Sequence, residues 1–230
     1  MNGFNKFIQI AGVSDNREAQ LLIKSGVKFL GFPFRLPVNK EDITEADAAK
    51  IIKKLPPSVH GILITYLNNA REIINLCKKL GVNIVQLHGE IELRELAKIK
   101  KINPEIIIIK SLIVGKHNLS ELKKIIDLQS NYVNAYITDT YNPVSGATGA
   151  TGITHDWEIS KALVNHSNKP VILAGGLTPE NVYNAIITVK PAGVDAHTGV
   201  EDSFGKKDKN KIKRFLSEAE KGFNKIQGEQ

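Results

Sequence analysis

A single (β/α)8 barrel, an α/β fold occupying residues 1–230 as one domain, is the fold class this sequence predicts. Three observations carry the prediction. Eight short apolar runs recur along the chain, helical patterns separate them, and 230 residues is near the usual length for such a barrel. The runs are rich in Ile and Val and several are nearly continuous, which suits parallel strands covered on both faces. The rival is an open doubly wound sheet. It would normally carry a glycine fingerprint after its first strand, where this chain reads AGVSDNREA.

The elements follow in order. Strands are expected at FIQIAGV (7–13), FLGFPF (29–34), HGILITY (60–66), NIVQLHG (83–89), EIIIIKSLIV (105–114), AYITDT (135–140), PVILAGG (170–176) and GVDAHTG (193–199). Thr44 with Asp47 three residues on resembles a capping box at the start of the second helix. Apolar spacings of three and four mark helices over 69–80 and 92–101, and Gly81 supplies a stop signal. Thr178-Pro179-Glu180 reads as an N-cap followed by proline at the first helical position. Residues 209–223 form a last amphipathic helix. The stretch GATGATG (146–152) matches neither a dinucleotide fingerprint nor a P-loop. It reads as a flexible loop with the hinges a substrate cover needs.

Composition narrows the function classes. The net charge of +7 comes mostly from lysines spread over helix faces, and aromatics make up only 6%. That is a solvated surface rather than the basic stripe with stacking residues that nucleic acid requires. Its charge helps attract an anionic small molecule. The lone cysteine, Cys77, sits at an apolar helix position and allows no disulfide framework or cysteine zinc site. No signal-peptide pattern and no long apolar span occur, so a cytoplasmic protein without membrane contact is expected.

Groups at the C-terminal ends of barrel strands converge on one site, and period-two alternation decides which residues share a face. Gln9 pairs in this way with Ala11, Gln86 with His88, and Asp195 with His197. Asp139 ends the sixth strand and Lys110 lies in the fifth. If these faces point inward, Gln9, Gln86, His88, Lys110, Asp139, Asp195 and His197 form a polar cluster at the rim. Polar groups on otherwise apolar strands cost stability unless paired, which marks them as functional. Two histidines with two carboxylates, His88, His197, Asp139 and Asp195, are also a legitimate ligand set for a divalent ion, but no spacing is diagnostic and no metal is assigned. Gly175 and Gly176 precede one helix start, and Thr198 and Gly199 follow the eighth strand. The loops after strands seven and eight are the usual phosphate position in this barrel, with backbone N–H groups as donors.

At this point a resemblance becomes specific. GFPF (31–34), VQLHGE (85–90), TDT (138–140), GATGITHDW (149–157), ILAGGLTPENV (172–182), VDAHTGVE (194–201) and GKKD (205–208) are similar, in order, to motifs of the phosphoribosylanthranilate isomerase family. The resemblance implies a cofactor-free Amadori rearrangement of an N-substituted phosphoribosylamine in tryptophan biosynthesis, by a monomer or homodimer. It implies Asp139 as the general acid that opens the furanose ring. Asp195 and the glycine turns then hold the substrate.

The chain also departs from the family. The family's opening Lys-Ile-Cys-Gly, with Cys as general base, reads Gln9-Ile10-Ala11-Gly12 here, and its Ser-Pro-Arg reads Val38-Asn39-Lys40. A serine of the strand-eight motif is His197. Lys40 is thus the expected substrate contact after strand two. His197, with Asp195 fixing its tautomer, is the expected replacement base, and His88 is the second candidate. Two alternatives remain at the sequence level: another phosphosugar enzyme, a lyase or epimerase, on the same barrel, and a non-catalytic phosphosugar-binding protein.

Overall fold

The computed structural model describes residues 4–37, 41–141, 152 and 154–228. Strand and helix alternate eight times: β1 (Phe7–Ala11), α1 (Asn16–Ser25), β2 (Phe29–Phe34), α2 (Glu45–Ile52), β3 (His60–Thr65), α3 (Ala70–Leu80), β4 (Ile84–Leu87), α4 (Leu93–Ile102), β5 (Ile107–Val114), α5 (Leu119–Gln129), β6 (Ala135–Thr140), α6 (Trp157–His166), β7 (Val171–Leu173), α7 (Val182–Val189), β8 (Gly193–Ala196) and α8 (Lys209–Gly228). Neighbouring strands are parallel, and β1 pairs with both β2 and β8, so the sheet closes in sequence order. Closure excludes the open-sheet alternative and leaves none of these eight strands with a free edge.

Two apolar layers hold the barrel. Outward-facing residues such as Leu30, Leu63, Val85, Ile108 and Tyr136 pack under the helices. Inward-facing Phe7, Ile62, Ile84, Ile109, Ala135, Ile137 and Ile172 fill the interior. The N-terminal mouth is plugged by aromatic rings, with Phe7 4.2 Å from Phe29 and Phe29 stacked 5.5 Å from His60. Polar side chains therefore gather at the opposite, C-terminal mouth.

The helix signals act largely as the residue types dictate. The Thr44 hydroxyl accepts the Asp47 N–H, Asn69 caps α3, and Gly81 ends it in a left-handed conformation. One start differs: α7 begins at Val182 rather than Pro179. Residues 178–181 form a turn in which the Asn181 carboxamide accepts the Thr178 N–H and donates to the Gly176 carbonyl. The Thr178 carbonyl accepts the Val182 N–H at 3.0 Å, so this turn feeds directly into the helix. Strand seven is also shorter than its apolar run, because Gly175 and Gly176 take positive φ and leave the sheet. Cys77 is buried, with its thiol pushed up to about 12 by burial, as expected of core filler.

Lys110 is a correction. The inward residues of β5 are Ile109 and Ser111, so alternation turns Lys110 to the helix side of the sheet. Its ammonium is buried there, donates to the Ser111 carbonyl at 2.7 Å, and is pushed down to about 8 by burial. Among the described residues no helix is long and apolar enough to cross a membrane.

Candidate active site

Inward-facing positions of four strands bring polar groups to the C-terminal mouth: Gln9 from β1, Gln86 and His88 from β4 and just beyond it, Asp139 from β6, and Asp195 from β8. All five are buried. Strand register fixes their relative height. Thr138 is level with Leu173, and Leu173 with Val194, so Asp139, Ala174 and Asp195 occupy the next row. Asp195 is in turn level with Gln9. The two acids stand one strand apart with only the Ala174 methyl between them.

Both carboxyls are held well above the ordinary range. Asp139 is pushed up to about 7 by burial, which outweighs the Thr140 N–H donated to its Oδ1 at 2.8 Å. Asp195 is pushed up to about 8, first by burial and then by repulsion from Asp139, with the Gln9 amide working against them. Its Oδ1 is buried with no hydrogen-bond partner among the described residues.

A chain of side-chain contacts sets the tautomer of His88. The Gln9 carboxamide donates to Gln86 Oε1 at 3.0 Å, leaving the Gln86 NH2 facing His88 Nδ1 at 3.5 Å. The Ser111 hydroxyl meets the same Nδ1 at 2.9 Å. Nδ1 is therefore the accepting nitrogen, and the network assigns the proton to Nε2. Nε2 lies 3.9 Å from Asp139 Oδ2. His88 thus presents an N–H, not a lone pair, to the acid, which argues against it as a base. A cleft of about 740 Å3 opens beside it, lined in part by Tyr66, His88 and Ser111. Ser111 is a site residue that the sequence pattern does not reveal. The run of isoleucines hid the alternation that would have placed it inside.

His197 also differs from expectation. Its ring lies over Gly12, where a Cβ would fall 2.0 Å from His197 Nε2. Nε2 is 3.4 Å from Glu201 Oε1, so Glu201 rather than Asp195 is its carboxylate neighbour. Burial and the Lys207 charge push the imidazole down to about 3. An imidazole that weak is a poor base near neutral pH. Lys207 is itself buried and bonded to Glu201 at 2.6 Å and to the His197 carbonyl at 3.2 Å. This gives the GKKD segment a role: it ties down the loop after β8. Lys207→Met leaves Glu201 without its partner and is expected to cost about 3–5 kcal/mol in denaturant unfolding.

The two glycine turns touch. Gly175 and Gly176 have φ of 94° and 64°, and a Cβ on Gly175 would lie 2.2 Å from Thr140 Oγ1. Thr198–Val200 is a short 3-10 turn packed so closely on its neighbour that a Cβ on Gly199 would fall 1.9 Å from the Leu177 carbonyl. A side-chain relay adjoins them. His155 meets Thr140 Oγ1 at 2.9 Å through Nδ1 and Ser160 Oγ at 2.6 Å through Nε2, and burial pushes it down to about 4. Among the described residues no group of three or more His, Cys, Asp or Glu is arranged to hold a metal ion. Lys40 lies outside the described residues, as does the GATGATG loop apart from Gly152.

Buried acids at the C-terminal mouth, beside paired glycine turns, define a (β/α)8-barrel enzyme. The sequence model of N-(5′-phosphoribosyl)anthranilate isomerase matches residues 8–218. The chain is 36% identical over 221 residues to N-(5′-phosphoribosyl)anthranilate isomerase 2 of Methanosarcina mazei, covering 95% of this chain and 96% of that protein. The crystal structure of phosphoribosylanthranilate isomerase from Thermotoga maritima superimposes with a TM-score of 0.79 at 30% identity, over 94% of this chain and 99% of that one. A structure of the isomerase in complex with reduced 1-(o-carboxyphenylamino)-1-deoxyribulose 5-phosphate gives a TM-score of 0.77 at 29% identity, with the same coverage. The chain belongs to the N-(5′-phosphoribosyl)anthranilate isomerase family.

Proposed function

We propose that the chain converts N-(5′-phosphoribosyl)anthranilate to the corresponding 1-amino-1-deoxyribulose phosphate, with Asp139 as the general acid. The observation that carries this is Asp139 itself. It is a buried carboxyl at the end of β6 whose pKa is raised to about 7, so a large share of it holds a proton at neutral pH. Protonation of the furanose oxygen needs such an acid. The His88 N–H, pointed at the same carboxyl, supplies a donor for a sugar hydroxyl or for the acid once ionised.

Gly175, Gly176, Thr198 and Gly199 hold the phosphate through backbone N–H groups, supported by the contact of the two turns. Lys40 stands where the family carries an arginine that helps position the substrate, and it is the expected substrate contact after strand two. His197 walls the β1 side of the mouth as a neutral ring. His197→Asn should therefore leave the shape of the pH–rate profile unchanged. A limb that disappears in that variant would restore the imidazole as base. The test of the reading is turnover of phosphoribosylanthranilate by the purified protein, followed through the loss of its aryl-amine fluorescence. Ketose formation supports it. Tight binding without conversion would favour a phosphosugar-binding protein.

A further inference from the structure

The isomerase reading leaves one reacting atom unserved: residue 11 is alanine, and some other group must remove the proton from C2. Among the described residues four titratable side chains besides Asp139 are candidates at the mouth, and the geometry separates them. His88 carries its proton on the nitrogen that faces Asp139, because Gln86 and Ser111 both occupy Nδ1. The His197 ring lies over Gly12 with Nε2 against Glu201. Glu201 is bonded to Lys207. The fourth is Asp195, an inward carboxyl 8% exposed, with one oxygen lacking any partner among the described residues. An unpaired buried acceptor is costly and is kept where it has a use.

Position supports the same choice. The ring oxygen and C2 of an aldosylamine are both bonded to C1, so the acid and the base must converge on atoms separated by a single carbon. Asp139 and Asp195 sit in one row, a strand apart, with the Ala174 methyl between them. Strands in a sheet are about 4.8 Å apart, so the two Cα atoms are separated by roughly 10 Å and the carboxyls reach toward a shared point. Asp195 is also paired in register with Gln9, one inward position below Ala11.

We propose that Asp195 is the catalytic base, taking the C2 proton while Asp139 protonates the ring oxygen. The inference rests on the isomerase reading of the site. The Asp139 proton passes to the ring oxygen as the C1–O bond breaks, and the nitrogen lone pair forms C1=N. The Asp195 carboxylate takes the proton from C2, and the C–H electrons form C1=C2 and return to nitrogen. The enol hydroxyl then loses its proton as C1 gains one, which gives the ketose. The cycle ends with Asp139 ionised and Asp195 protonated, and one proton passed back between them restores the starting state. No oxidant, metal or co-reactant enters the balance. Mutual repulsion favours the singly protonated pair, and because Asp195 is pushed up further than Asp139 the proton rests first on Asp195, so the cycle starts once that proton has passed to Asp139.

The experiment is steady-state turnover of phosphoribosylanthranilate by the wild type and by Asp195→Asn, with binding of the reduced product analogue measured in parallel. The proposal expects kcat to fall by about 10²–10⁴-fold in Asp195→Asn, with analogue affinity within a few-fold of wild type. Retained kcat with weakened analogue binding would make Asp195 a hydroxyl-binding residue and overturn the proposal alone. A wild type that never turns over overturns the isomerase reading and the proposal together. Should Asp195→Asn fail to fold, Asp195→Glu carries the test. It keeps the acid but moves it by one methylene, so turnover should fall and C2-deuterated substrate should show a larger isotope effect than in wild type. An unchanged isotope effect would contradict the assignment.

Discussion

Asp139→Asn is expected to lower kcat by about 10²-fold or more, because it keeps the shape of the side chain and removes the proton proposed to open the ring. The Thr140 N–H that meets Asp139 Oδ1 can meet an amide oxygen equally well, so the loss reports on the proton rather than on folding. Stability should move the other way. The folded-state pKa of Asp139 is raised from 3.8 to about 7, so the native state holds a proton that the unfolded state has released. Wild-type stability therefore falls as pH rises through that window, and asparagine does not titrate. Thermal unfolding should show Asp139→Asn gaining on wild type from acid to neutral pH, by up to a few kcal/mol. A variant of near-wild-type activity, or one equally stable relative to wild type at both ends of the window, would remove the buried-acid account.

Gly199→Val carries the second large effect. A Cβ at residue 199 falls 1.9 Å from a backbone oxygen, and a backbone atom cannot swing aside as a side chain tip would. The turn after β8 must lift off the turn after β7, taking its N–H donors away from the proposed phosphate position. Hydrogen bonds to charged groups contribute about 1.5–3 kcal/mol each, so KM should rise by roughly 10–100-fold per donor lost. The chemistry at C1 and C2 lies elsewhere, so kcat should change much less. Inorganic phosphate should also lose its ability to inhibit. A variant that keeps the KM and phosphate inhibition of the wild type would move the phosphate away from these turns.

The barrel was legible because its evidence is periodic and local. Every strand falls within its apolar run, and Thr44, Asn69 and Gly81 signal helix boundaries through their own side-chain or backbone chemistry. The α7 start was misplaced because Thr178 and Asn181 build a turn that mimics an N-cap before the helix proper. Alternation placed Gln9, Gln86, His88, Asp139 and Asp195 correctly, since each stands two residues from an inward neighbour. It gave the wrong face for Lys110, because β5 is apolar on both faces and carries no contrast. Pairings between distant segments were not legible. Gln86 with His88 is local, but Ser111 with His88, Glu201 with His197, and His155 with Thr140 and Ser160 depend on how loops return to the barrel. The burial that disqualifies His197 as a base and raises Asp195 belongs to that same tertiary level.

The central claim is that a pair of buried carboxyls performs the rearrangement in a family member with alanine at residue 11. The pH dependence of kcat on phosphoribosylanthranilate, measured for the wild type and for His197→Asn, tests it most directly. The account predicts ketose formation in both proteins, with a bell-shaped profile whose two limbs coincide. No ketose from the wild type at any pH, or a limb lost with His197, would contradict it.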